Sequence, residues 1–510
     1  MKKNLHILQI GTANWSSQVI DGLNWTYVNC LDEVDEQWEK LSINEDKEAT
    51  KTNKIKPFDA VVISQLHSNF NFSILQEYIE PYTILINEQI SSDIISNYPF
   101  LKYMSSHFIN MQDLDEVMQL LKRNFFIGQN GTKLHVKNAV INNNDSFNVH
   151  YNGNNYVEIS QLDQIEYKQL LYWTYNIGLG SESYTDLWLE YQADSLVKIR
   201  MILYFIDSMG KITTKQFSQA EMDEKITIGV EEFTYLSISI EAAGKGSIKI
   251  GPMHYRQSRE EFGEMLLGGK VAKDSNRQEF FYYFYPGDLK PPLNVYFSGY
   301  RTAEGFEGYW MMKNLGKPFL LIGDPRLEGG NFYVGSNEYE QNIENTIRYY
   351  LDLLDLTNEQ LTVSGLSMGT YGALYYGARL GAPAIIVGKP LISIGNIAKN
   401  LPLHRPEAFE TSLDMVNSFI EQGESRYEYL NNKIIPYLKK AKFPENTTIA
   451  IAYMLHDDYD DTAYFNLLDH LSEKDVNIIS KGLVGRHNDN SPGINQWFYT
   501  QLKRLTQTLT

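Results

Sequence analysis

The chain has 510 residues, and a single hydrophobic core stops growing at roughly 250–300 residues, so two or three domains are expected. Hydrophobic residues make up 43% and aromatic residues 13%, which is enough for packed cores and argues against a disordered chain. With 45 Lys and Arg against 63 Asp and Glu, the formal charge is −18; such a surface repels phosphate backbones, and no dense basic stripe overrules it, so nucleic acid is not expected as a partner.

The single cysteine, Cys30, cannot form an intrachain disulfide and suits a reducing compartment. The apolar run after Met1 is short and interrupted, so it reads as a first strand rather than a signal-peptide core. No stretch approaches the ~20 apolar residues of a membrane span. These features predict a soluble cytoplasmic protein.

Residues 1–130 form the first zone. Short apolar runs at 5–10, 60–64 and 83–86 alternate with helical spacing at 114–121, predicting a small parallel-sheet α/β domain. Gly11-Thr12 follows the first strand without a Gly-x-Gly-x-x-Gly, so the dinucleotide fingerprint is missing.

Residues 131–256 form the second zone, rich in Tyr, Ile, Val and Thr. Strands are predicted at 187–191, 197–205, 226–228, 235–240 and 247–250, with turns at Asn142-Asn143-Asn144-Asp145, Asn152-Gly153-Asn154-Asn155 and Met209-Gly210. Many short strands predict an antiparallel sandwich or jelly roll, similar to carbohydrate-binding modules. Trp173 and Tyr175 are the candidate sugar-stacking residues. A spacer with core aromatics is the preferred reading, because aromatics more often fill a core than a binding face.

Residues 257–510 form the third zone. A linking helix is expected over 257–267, and from Pro286 onward β-branched runs alternate with long helical patterns, predicting a doubly wound domain of α/β-hydrolase type. The strand Leu361-Thr362-Val363-Ser364 runs into Gly365-Leu366-Ser367-Met368-Gly369 and then a helix rich in small residues. This is Gly-x-Ser-x-Gly in its strand–turn–helix context, with Ser367 as nucleophile and Gly365 and Gly369 as the elbow glycines. In this fold the base and acid follow the serine. His404 comes too early and His470 lies in a helical stretch. His487 sits in a loop between the last strand and the last helix and is the expected base. The strand at 447–454 ends in Leu455-His456-Asp457-Asp458-Tyr459-Asp460-Asp461. Asp457 is the first choice for the acid, with Asp458 and Asp460 as competitors. The cluster lacks the glycine and glutamate of an EF-hand, so no metal site is expected. Oxyanion donors are expected from the N–H of Met368 and from Gly299 or Tyr300, in Phe297-Ser298-Gly299-Tyr300-Arg301. Arg301 could hold substrate or pair with a carboxylate.

These residues carry a full-length resemblance. Leu8-Gln-Ile-Gly, the Tyr/Asn-rich middle, Phe297-Ser-Gly-Tyr-Arg, Val363-Ser-Gly-Leu-Ser-Met-Gly-Thr-Tyr-Gly-Ala-Leu-Tyr-Tyr-Gly-Ala, the Asp-Asp-Tyr-Asp loop and Gly485-Arg-His resemble the second accessory secretory protein of the accessory Sec system. The resemblance implies O-acetylation of N-acetylglucosamine on a glycosylated serine-rich-repeat adhesin, and delivery of that adhesin to a SecA-type ATPase with companion accessory secretory proteins. It implies peripheral contact with the membrane only through the export machinery. Carried over, the serine is Ser367, the histidine His487, and the acid falls in the Asp457 region. No bound cofactor is implied, and the acetyl donor is not specified. A general carboxylesterase or hydrolase, and a non-catalytic export scaffold with a vestigial triad, are the rival readings.

Overall fold

The computed structural model describes residues 4–42, 57–142, 147–404, 412–418 and 425–509; the turn expected over Asn143-Asn144-Asp145 lies outside them. Aliphatic runs flanked by turn residues make the first sheet. Its strands are β1 (Leu5–Gly11), β2 (Leu23–Asn29), β3 (Ala60–Ile63), β4 (Ile84–Asn87) and β5 (His107–Ile109), in the order β2-β1-β3-β4-β5 and all parallel. The Leu114–Asn124 helix starts where the Asp113 carboxylate accepts the N–H groups of Asp115 and Glu116, and it buries Val117, Met118 and Leu121 at helical spacing.

The second sheet contains β6 (Gly131–Leu134), β7 (Ala139–Ile141), β8 (Asn148–Asn152), β9 (Tyr156–Trp173), β10 (Ile177–Leu179), β11 (Thr185–Ala193), β12 (Val197–Ile206), β13 (Ile212–Ser218), β14 (Ile226–Ile228) and β15 (Thr234–Gln257), all paired antiparallel. The long strands β9 and β15 run alongside each other with three register shifts. The two closing strands expected at 235–240 and 247–250 are one continuous strand, β15. Gly244, at φ +112°, does not turn the chain back; a Cβ there would lie 1.9 Å from the Leu196 carbonyl oxygen, so the glycine marks close backbone approach at an irregularity in the ladder. Trp173 is 1% exposed and its indole N–H donates to the His135 carbonyl at 3.1 Å, which makes it a core residue, as the preferred reading expects, and removes it as a candidate sugar platform. Tyr175 is exposed.

The third sheet contains β16 (Lys270–Lys273), β17 (Glu279–Tyr285), β18 (Leu293–Phe297), β19 (Phe319–Gly323), β20 (Leu361–Leu366), β21 (Ala384–Gly388), β22 (Thr448–Met454) and β23 (Asn477–Leu483), in the order β16-β17-β19-β18-β20-β21-β22-β23. The β16–β17 and β17–β19 pairs are antiparallel and the rest parallel. Strands β18 to β22 are almost continuously apolar, as strands covered on both faces must be. The Gly369–Leu380 helix packs on this sheet with every residue but Arg379 buried.

Contacts divide the chain into two compact units. One comprises residues 1–129, 182–184 and 258–269; the other comprises 130–181, 185–257 and 270–510, so the antiparallel sheet and the third sheet share one unit. Residues 257–267 do not form the expected linking helix. β15 ends at Gln257, and only a single 3-10 turn, Glu260–Phe262, follows before Gly263 takes φ +147°, a conformation no helix contains. Arg259 fastens this segment within the first unit by donating to the carbonyls of Asn124, Phe126 and Gly128, each at 2.8 Å.

Candidate functional site

Parallel strands deliver their carboxyl ends to one edge of a sheet, and β20 to β23 bring four loops there. After β20 the chain turns at Ser367, whose φ is +52°, before entering the Gly369–Leu380 helix. The Ser367 N–H donates to the Gly388 carbonyl at 2.8 Å, and its carbonyl accepts the Thr370 N–H at 2.9 Å, so the strained residue is held on both sides. The elbow glycines are required by space. A Cβ on Gly365 would lie 2.2 Å from the Gly369 carbonyl oxygen, and one on Gly369 would lie 2.1 Å from the Phe297 carbonyl oxygen.

The Ser367 Oγ lies 2.8 Å from His487 Nε2. On the other side of the imidazole, Nδ1 lies 2.8 Å from Asp457 Oδ2 and 3.1 Å from Oδ1. His487 is 1% and Asp457 8% exposed, so this line of three side chains is screened from water except at the serine. The ring of Tyr459 stacks on the imidazole at 4.3 Å and 4°, fixing its plane.

The aspartates that compete in sequence are given separate tasks. Asp457 meets the imidazole and also accepts the N–H groups of Tyr459 (2.9 Å) and Asp460 (3.3 Å). Asp458 accepts the backbone N–H of His487 at 3.0 Å. Asp460 is buried and accepts the N–H groups of Ile392 and Ser393 at 2.8 and 2.7 Å, just before the Ile394–His404 helix. Burial pushes the Asp460 carboxyl up, against those N–H donors.

Met368 precedes the first residue of its helix, where backbone N–H groups have no intrahelical acceptor. The Gly299 N–H, by contrast, already donates to Glu307 Oε2 at 2.9 Å, while the Glu307 N–H donates to Ser298 Oγ at 3.0 Å. Gly299 as an open oxyanion donor is corrected on this ground: a carboxylate occupies it in this arrangement. The Tyr300 ring lies against Gly329. Arg301 turns onto its own loop, donating to the Ala303 and Phe306 carbonyls at 3.3 and 3.2 Å, which answers where its guanidinium goes.

Sequence reasoning missed Glu307, Tyr459 and Lys389. Lys389 follows β21 at φ +58°, is 8% exposed, and its ammonium lies 3.4 Å from Ser491 Oγ. Burial pulls its pKa down, while the Asp457 and Glu307 carboxylates oppose that shift. Among the described residues, no cluster of His, Cys, Asp and Glu could hold a metal, and no helix is long and apolar enough to cross a membrane. A groove of about 970 Å³ lies at the far end of the Gly369–Leu380 helix, lined by residues such as Arg379, Lys433 and Tyr437, and contains none of these side chains.

The fold and site define an α/β protein with a hydrogen-bonded Ser–His–Asp line at the carboxyl edge of a largely parallel sheet. Residues 5–509 match the family model described as accessory Sec system GspB-transporter, and the chain belongs to that family. It is 38% identical to the second accessory Sec system protein of Streptococcus gordonii, over 98% of this chain and 97% of that one. Its counterpart in Staphylococcus aureus is 39% identical, over 98% and 96%. A chain of the Glycosylation Associate Protein (Gap123) complex from Streptococcus agalactiae superposes with a TM-score of 0.87 at 36% identity, covering 99% of this chain and 98% of that one.

Proposed function

We propose that this accessory Sec protein is a serine-dependent O-acetyltransferase, built on an α/β-hydrolase-type domain, that acts on N-acetylglucosamine of a glycosylated serine-rich-repeat adhesin and takes part in its export. The observation that carries the chemistry is the 2.8 Å contact between Ser367 Oγ and His487 Nε2, with the serine at φ +52° on the elbow. His487 Nε2 takes the hydroxyl proton as Oγ attacks the acyl carbonyl, and Asp457 holds Nδ1–H and stabilises the imidazolium. The Met368 N–H and the helix start face the developing oxyanion. A second donor comes from the loop after β18. Collapse of the intermediate gives the leaving group the proton from His487 and leaves an ester on Ser367. The sugar hydroxyl then gives its proton to His487 and attacks that ester, and as the ester bond to Ser367 breaks, His487 returns the proton to the Ser367 Oγ.

Family membership supports the export role, and the relative from Streptococcus agalactiae was solved as part of a complex, which supports companion accessory proteins as partners. The test is a Ser367→Ala strain. Mass spectrometry of adhesin glycans is expected to show loss of O-acetyl groups; intact acetylation would overturn the proposal. Persistence of export in that strain would separate the acyl-transfer role from the transport role.

A further inference from the structure

The loop that carries Gly299, residues 298–308, rests on a buried group of charges that the acyl chemistry does not use. His254 on β15 is 1% exposed. Its Nδ1 lies 2.6 Å from Glu304 Oε1 in the loop, and its Nε2 lies 2.9 Å from Glu190 Oε1 on β11. Arg256, two residues along β15, donates Nε to Glu304 Oε2 and Nη2 to Glu279 Oε2 on β17, both at 2.6 Å. Lys133 on β6 donates to the carbonyls of Pro325 and Leu327, and its ammonium lies 3.7 Å from Glu304 Oε1.

An ionised carboxylate oxygen only accepts hydrogen bonds, so an imidazole with a carboxylate on each nitrogen needs a hydrogen on both. His254 therefore fits this place as an imidazolium. The charge balance agrees. Glu190, Glu279 and Glu304 face Lys133, Arg256 and His254, three against three, and the group is neutral only when His254 is charged. A buried cluster one charge out of balance is strongly disfavoured. His135, the other histidine near the cluster, has its pKa lowered to about 4 by burial and by Lys133 and Lys137, so it adds no charge at neutral pH. Asp324, beyond β19, is paired with Arg326 at 2.7 Å. Burial, the largest influence on His254, pushes it toward neutrality; the Glu304 charge and the hydrogen bonds to Glu190 and Glu304 more than offset it and hold it above its ordinary value.

The cluster is tied to the acyl loop by backbone as well as side chain. The Glu304 N–H donates to the Gly131 carbonyl at 3.0 Å, and a cavity of about 10 Å³ is lined by Lys133 and Glu304 together with Ser298 and Gly299.

We propose that His254 and Glu304 are positioning residues of the acyl site: the His254 imidazolium, clamped between Glu190 of the antiparallel sheet and Glu304 of the 298–308 loop, fixes the loop that carries Gly299, and loss of its proton releases that loop. The catalytic half of this statement rests on the acyl-transfer reading; the clamp itself does not. The antiparallel sheet thereby becomes part of the site's frame rather than a separable module. The sign follows from the raised value: the clamp is complete below the ordinary histidine range and is lost as pH rises through the His254 transition.

Three measurements on the full chain test it. In 15N-histidine-labelled protein, with His254→Gln used for assignment, the His254 nitrogens are expected to show imidazolium shifts at pH 7; a neutral tautomer there would overturn the clamp. Hydrogen exchange of peptides spanning 298–308 is expected to rise at least several-fold in His254→Gln and to be unchanged in Ser367→Ala; equal protection in wild type and His254→Gln would equally overturn it. With p-nitrophenyl acetate, His254→Gln is expected to lose about 10- to 100-fold in kcat with KM nearly unchanged, and to lack the alkaline fall of the wild-type profile. Normal kcat in a variant with a loosened loop would remove the positioning role. If wild type has no esterase activity, the acyl reading fails while the exchange and histidine data still decide the clamp. If His254→Gln does not fold, the wild-type titration alone decides it.

Discussion

The Asp458 carboxylate accepts the backbone N–H of His487 at 3.0 Å, while its neighbour Asp457 takes the imidazole of the same residue. One aspartate aims the loop and the next holds the ring. Replacing the ring partner should be far more harmful. Asp457→Asn is expected to lower kcat for ester hydrolysis by roughly 10³- to 10⁴-fold, as loss of a triad acid does, and Asp458→Ala by on the order of 10-fold through loop misplacement. Steady-state kinetics on the two variants checks the order; equal losses would show that the two carboxylates are not divided in this way.

The elbow glycines are a packing requirement. A methyl on Gly369 would lie 2.1 Å from a backbone carbonyl oxygen, which cannot move without shifting β18. Gly369→Ala is expected to cost about 3 kcal/mol or more of stability, at the upper end of overpacking effects. Urea unfolding should show a lower midpoint at similar slope.

Trp173 and Tyr175 separate core from surface two residues apart. Trp173→Ala removes a fully buried indole and is expected to cost about 3–5 kcal/mol, whereas Tyr175→Ala should stay within about 0.5 kcal/mol of wild type. Chemical denaturation of both variants measures the contrast.

His135 gives the fold an acid sensitivity of its own. Its pKa is lowered to about 4, first by burial and then by Lys133 and Lys137, with the Glu304 carboxylate opposing them only in part. The unfolded chain therefore binds a proton on this side chain near pH 6.5, before the folded one does. Its contribution is complete above that pH and is lost as pH falls toward 4, with a size on the order of 2–3 kcal/mol. His135→Gln should flatten the stability profile over that window while leaving the losses at lower pH, where the Glu304 carboxyl, held well below the usual range by Arg256 and His254, takes up its proton.

The elbow serine and the loop histidine that meets it were legible because they obey local rules: a serine between two glycines needs the strand before it and the helix after it, and both leave periodic patterns. The acid was legible only to within a cluster. Asp457, Asp458 and Asp460 sit in an irregular loop where no period says which way a side chain points, and the choice is made by which carboxylate also caps the N–H groups of Tyr459 and Asp460. Glu307 left no signal at all, since it reaches Gly299 across eight residues of loop. The break expected between 240 and 247 is absent for a related reason. Gly244 lies in that gap, and in β15 it serves the close approach of Leu196. The helix expected at 257–267 failed because its charged and apolar spacing ignored Gly263, whose backbone conformation ends any helix.

The most direct test of the central claim is covalent labelling of the native chain with a fluorophosphonate, read by intact-protein and peptide mass spectrometry. One adduct on Ser367 is predicted, absent from Ser367→Ala and formed at least about 100-fold more slowly in His487→Ala. A wild-type chain that takes no adduct, or one labelled equally fast without His487, would contradict it.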